Sequence, residues 1–132
     1  MALAVIVPTI LTDTVEQYKA SMEKYRAFAK RIQVDFSDGT MTGSKTVELS
    51  VVTPPVGVAV DIHLMSANPE LHVERILKIK PKPNLVIFHA EAEGDLLPLF
   101  EKLRIAGIKV GVAFLKKSYP GEWMRYGFFI IN

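Results

Sequence analysis

The chain is 132 residues long, 49% hydrophobic and 23% charged, which is one domain's worth of sequence with enough apolar material for a core. Its 16 Lys and Arg against 14 Asp and Glu leave a formal charge of +2, which excludes charge-driven disorder and offers no basis for nucleic-acid binding. There is no cysteine for a disulfide scaffold or a thiol nucleophile, no run near the roughly 18 apolar residues of a membrane span, and no basic secretory start, so a soluble cytoplasmic protein with no membrane partner is expected.

Five short apolar runs rich in Val and Ile follow one another, at residues 3–7, 32–36, 56–62, 85–88 and 109–114. Most are continuous rather than alternating, as in strands buried on both faces. They recur about every 27 residues, close to the roughly 30 of a βαβ unit, so the pattern predicts parallel strands joined by crossover helices.

The intervening segments fit. Val15, Tyr18, Met22, Tyr25 and Ala29 recur at helical spacing, and either Thr14 with Gln17 or Asp13 with Glu16 makes a capping box. Residues 40–55 predict at most a short helix around 45–51, ended by Pro54-Pro55. Asn68 as N-cap with Pro69 as first helical residue predicts a helix to about residue 78. Another is predicted from near Asp95, with Leu96, Leu99, Phe100 and Leu103 inward and Gly107 as left-handed C-cap. After Phe114 the composition changes, and residues 115–132 read as an atypical tail to a single domain, too short for another full crossover helix and strand.

Ligands of parallel βα folds bind beyond the carboxyl ends of the strands. The residues there are Thr9, the block Gln33-Val34-Asp35-Phe36-Ser37-Asp38-Gly39, the block Asp61-Ile62-His63-Leu64-Met65, and His89-Ala90-Glu91. Alternation puts Gln33, Asp35 and Ser37 on one side of their strand, and Asp61 and His63 on one side of theirs. Bland readings compete at several of them. Asp38 and Gly39 suit a turn with a positive φ at the glycine, His89 a strand-end hydrogen bond, and His72 a helix surface. Lys116 and Lys117 suit a solvated loop, and Trp123, Phe128 and Phe129 packing.

Those blocks, with Pro8-Thr9-Ile10-Leu11, Asn68-Pro69-Glu70 after the histidine block, His89-Ala90-Glu91-Ala92, and GIKVGVA at 107–113, resemble the ribulose-phosphate 3-epimerase family in order and spacing over about residues 4–115. The resemblance implies a (β/α) barrel acting on a phosphorylated pentose. In that chemistry two aspartates around a divalent metal (zinc, iron or manganese) remove a proton beside the carbonyl and return it on the opposite face. It implies Asp35 as one acid/base and metal ligand and His63 as a second ligand. Thr9, Ser37, Met65 and His89 are implied at the substrate. Three positions depart from the pattern: Gln33 stands where the family has a ligating histidine, Ser37 where it has methionine, and Thr9, a mild change, where it has a substrate-contacting serine. The second catalytic aspartate and the glycine-rich phosphate loops have no counterpart.

Set against a barrel of about 250 residues, the expected fold is α/β, a partial TIM barrel of about five parallel strands. Its open edges and apolar inner face predict completion by self-association, with a two-fold dimer of half barrels as one form of it. Two functional readings stand. One is the epimerisation of ribulose 5-phosphate and xylulose 5-phosphate; the other is a non-catalytic half-barrel fragment or oligomeric sugar-phosphate-binding module. Other phosphate-binding barrels, such as hexulose-phosphate synthase, rank lower because 33–39 contains no lysine.

Overall fold

In a computed structural model describing residues 4–115 and the strand at 129–131, the apolar runs become one parallel sheet. In chain order the elements are β1 (Thr9–Ile10), α1 (Val15–Arg26), β2 (Arg31–Ser37), a 3-10 turn (Leu49–Val51), β3 (Ala59–Met65), α2 (Glu70–Leu77), β4 (Leu85–His89), α3 (Leu97–Ile105), β5 (Lys109–Ala113) and β6 (Phe129–Ile131). The strands lie side by side in sequence order, every neighbouring pair parallel. This is the arrangement of a partial TIM barrel. Among the described residues no helix is long and apolar enough to cross a membrane.

The expected helix signals operate, with one exception. Thr14 caps α1, its hydroxyl accepting from the Gln17 amide at 3.2 Å. Asp95 accepts the Leu97 amide at the start of α3. At its end Gly107 turns at φ +79, while Gly107 N–H donates to Arg104 and Ile108 N–H to Leu103, the paired closure of a Schellman motif. The exception is α2, which starts at Glu70 behind Pro69 with no side-chain cap from Asn68.

Alternation divides the sheet into two unlike faces. Ile32, Val34 and Phe36 of β2, Val60, Ile62 and Leu64 of β3, Val86 and Phe88 of β4, and Val110 and Val112 of β5 pack under the helices with Tyr18, Met22, Ile76, Phe100 and Leu103. Phe88 and Phe100 meet edge to face with centroids 4.9 Å apart. On the opposite face Leu85, Ile87 and Ala113 form a second, small buried cluster, while β2 and β3 present polar side chains there. The expected exposed apolar inner face is therefore absent at these three positions, which are 3%, 2% and 7% exposed in the single chain.

Two expectations are corrected. The first strand is not the run at 3–7 but only Thr9–Ile10, where the chain comes alongside Gln33 and Val34. Val5 and Ile6 stay 73% and 85% exposed. Second, the repeat gains one more strand: β6 pairs in parallel with β5 through Gly111, Val112 and Ala113. Residues 114–128 satisfy the minimum of about a dozen that a parallel crossover needs. Six strands twice over exceed the eight of a closed barrel, so a two-fold dimer of half barrels does not follow from this sheet. The expectations for Lys116, Lys117, Trp123 and the side chains of Phe128 and Phe129 lie outside the described residues.

Phe100 is 1% exposed in the middle of the helix-side core. Phe100→Ala is expected to lower unfolding free energy by about 3 to 5 kcal/mol. Val56→Ala, at a position 91% exposed, should change it by no more than about 0.5 kcal/mol. Urea denaturation of the two variants measures both.

Candidate active site at the carboxyl ends of the strands

β2 and β3 pair over seven residues, so Asp35 lies opposite His63 and Ser37 opposite Met65, all facing away from the helices. β4 places Ile87 beside His63 and brings His89 one step beyond it. The result is a continuous polar chain. Gln33 Nε2 donates to Asp35 Oδ1 at 2.9 Å, His63 Nδ1 lies 3.2 Å from the same oxygen, and His63 Nε2 lies 2.9 Å from His89 Nε2. The two imidazoles stack with centroids 5.0 Å apart.

The contacts set the protons. A carboxylate accepts, so His63 carries a proton on Nδ1, and in the contact between the two imidazoles one Nε2 donates and the other accepts. Burial holds His89 below the usual histidine range, reinforced by His63 and opposed by Glu91. His89 Nδ1 points toward Glu91 Oε2 at 3.7 Å. Among the described residues both bonds to Asp35 fall on Oδ1, and Oδ2 has no hydrogen-bond partner.

Asp61, on the same side of β3 as His63, is taken elsewhere. It is 2% exposed and accepts from Arg31 Nε at 2.6 Å and Asn84 Nδ2 at 2.7 Å, closing the amino-terminal end of the sheet. Ser37 and Met65, two positions beyond Asp35 and His63 on their strands, line a cavity of about 470 Å3 together with Thr12, Lys45 and Thr46. The Ser37 hydroxyl also ties the following loop, through Thr42 Oγ1 at 2.8 Å and the Ser44 carbonyl at 2.7 Å. Thr9 sits in register with Gln33 on the edge strand and is exposed. The structure thus joins Gln33, Asp35, His63 and His89 directly, sets Ser37 and Met65 in the adjoining cavity, and leaves Thr9 at the margin.

Three features escaped the sequence reading. His72 is not on the surface: it is 7% exposed, and its Nε2 donates to Asp38 Oδ2 at 2.7 Å. The same oxygen accepts from Ser66 Oγ at 2.6 Å, while Asp38 Oδ1 accepts from the hydroxyl and the amide of Thr40. Asp38 therefore ties the ends of β2, β3 and α2 together, in addition to forming the expected turn with Gly39 at φ +86. Burial alone raises the Asp38 carboxyl, but its hydrogen bonds from Ser66, Thr40 and His72 more than reverse this and hold it well below the usual carboxylate range. The third feature is the role of Glu91, which the sequence places at the strand end without showing what it meets: its Oε2 lies 3.7 Å from His89 Nδ1.

A parallel βα sheet with a carboxylate and two imidazoles at the carboxyl ends of its strands defines a protein of the (β/α) barrel class. The ribulose-phosphate 3 epimerase family matches residues 5–128, and the chain belongs to that family. A search of curated proteins returned no match.

That family is metal-dependent as a rule, so the donors were set against a divalent ion. They do not fit. Among the described residues no group of three or more His, Asp or Glu side chains converges as a ligand set. His63 spends one nitrogen on Asp35 and turns the other toward His89, so the imidazole lone pairs do not point at a common centre. Gln33 turns an N–H donor, not a lone pair, into the site.

Because Asp38 is depressed in the folded chain, it stabilises above its unfolded value of about 3.9, and that contribution is lost as pH falls through and below that value. Asp38→Asn is expected to cost about 1 to 3 kcal/mol at pH 7. The gap between wild type and variant should narrow progressively below about pH 4, as followed by thermal melts from pH 7 to pH 3.

Proposed function

We propose that the chain acts on a phosphorylated pentose by carbon-acid chemistry, interconverting ribulose 5-phosphate and xylulose 5-phosphate, with Asp35 as one of the two acid/base groups that inversion requires, the one that exchanges the proton beside the carbonyl on its own face. The observation that carries this reading is the one-sided bonding of Asp35. Gln33 and His63 both hold Oδ1 and fix the carboxylate, while among the described residues Oδ2 has no hydrogen-bond partner. Removing a proton from carbon requires a positioned base of this kind, which contributes about 10²- to 10⁴-fold to such a step. His63, with its proton held on Nδ1 by Asp35, orients that base. Met65 and Ser37 border the space for the sugar.

Incubating the protein with ribulose 5-phosphate in deuterated water should exchange the proton at carbon 3, observed by proton NMR. Asp35→Asn should slow exchange by at least about 100-fold while leaving the melting temperature near that of wild type. Gln33 in the place of a ligating histidine favours the second reading, a sugar-phosphate-binding module. Saturable binding of ribulose 5-phosphate by calorimetry with no exchange in the wild type would establish that reading instead.

Self-association belongs to the same proposal. It is supported by Val5 and Ile6, which stand exposed just before β1. Light scattering is expected to give a solution mass above the 14.7 kDa of one chain, and Val5→Lys with Ile6→Lys should return it to that value.

A further inference from the structure

A second cavity, of about 500 Å3, lies between the 3-10 turn and the end of α2, among residues that the candidate active site does not use. Leu49, Val52 and Ile79 make its floor and are 1%, 4% and 6% exposed. Its rim carries three cations, Arg75, Lys78 and Lys80, and the hydroxyls of Ser50 and Thr53. The cations come from one short stretch: Arg75 and Lys78 are three apart across the last turn and C-cap of α2, and Lys80 follows at once. Positions three apart share a helix face, so the topology gathers the charge on one side of the opening.

An apolar floor of this volume with a few charged groups on one edge is the usual composition of a small-molecule site. The rim fixes the sign of the ligand. Arg75 has a carboxylate neighbour in Glu48, whose Oε2 lies 3.6 Å from Arg75 Nη1, with both side chains more than 60% exposed. An exposed pair at that distance is worth little, so the Arg75 guanidinium is readily transferred to a better acceptor. A guanidinium fork receives two oxygens of a carboxylate, sulfonate or phosphate at once, and the two ammonium groups add point charge beside it.

We propose that this cavity binds an organic anion: a small molecule with an apolar, ring-sized body seated on Leu49, Val52 and Ile79 and a carboxylate, sulfonate or phosphate held by Arg75, Lys78 and Lys80. Glu48 competes for the same guanidinium and limits the affinity. The site is separate from the cavity that Ser37 and Met65 line, so it stands whether or not the chain epimerises a pentose.

The probe is 8-anilinonaphthalene-1-sulfonate, titrated by fluorescence and mapped by amide chemical shifts on the full chain. One saturable site is expected, with shifts centred on Ser50, Thr53 and Ile79. Arg75→Gln with Lys78→Gln should weaken binding at least fivefold, Glu48→Gln should strengthen it at least twofold, and Lys24→Gln, on α1, should leave it unchanged. Inorganic phosphate should compete with the probe in the wild type. Equal affinity for the uncharged analogue N-phenyl-1-naphthylamine would overturn the proposal. So would insensitivity to the double substitution in a protein with a wild-type melting curve, or shifts confined to residues outside the cavity.

Discussion

Everything at the carboxyl end of the sheet depends on the register between β2 and β3. Arg31 faces Ala59 and each residue after it faces its counterpart, through Ser37 opposite Met65. Because strand side chains alternate with period two, a slip by one residue would send Asp35 and His63 under the helices and turn Ile32, Val34 and Phe36 out of them. Six helix-side residues of these two strands are at most 3% exposed, and burying each is worth about 1.5 to 3 kcal/mol. The apolar face therefore sets the geometry of the polar one. Asp35 meets His63 because Val34 and Ile62 must meet the core.

The same face holds two aspartates on neighbouring strands with opposite roles. Asp61 has each oxygen claimed, Oδ2 by Arg31 and Oδ1 by Asn84, and is sealed from water. A buried carboxylate so paired is costly to disturb and has little left to offer a ligand. Asp35, one turn of the pleat nearer the carboxyl end, has its bonds crowded on one oxygen and a side chain 13% exposed. The division follows the polarity of parallel βα folds, in which the amino-terminal end stabilises and the carboxyl-terminal end meets ligands.

Much of this was legible from local pattern. The runs containing Ile32, Ile62, Val86 and Val112 became strands, the Thr14 cap and the Gly107 stop are where their side chains or lack of one demand, and alternation alone grouped Gln33 with Asp35. What was not legible is what depends on partners distant in sequence. His72 follows an exposed Leu71 and has nothing nearby to bond, yet its acceptor is Asp38, 34 positions earlier. Only the packing of α2 over β2, with the His72 ring edge-on to Phe36 at 4.8 Å, brings them together. β1 failed for a related reason. An apolar run declares that it can be a strand, but only Thr9 and Ile10 lie where β2 has backbone to offer, and Pro8 contributes a carbonyl to Gln33 N–H and has no N–H to give.

Gln33 shows how a single replacement alters the chemistry available to its neighbours. An imidazole at this position has a nitrogen lone pair to share with a cation, whereas the amide presents two N–H donors and a carbonyl. Beside a carboxylate the carbonyl would be repelled, so the amide settles with Nε2 toward Asp35 Oδ1, as found at 2.9 Å. Gln33 thus supports Asp35 through a hydrogen bond, and with His63 it gives the carboxylate two donors on one oxygen.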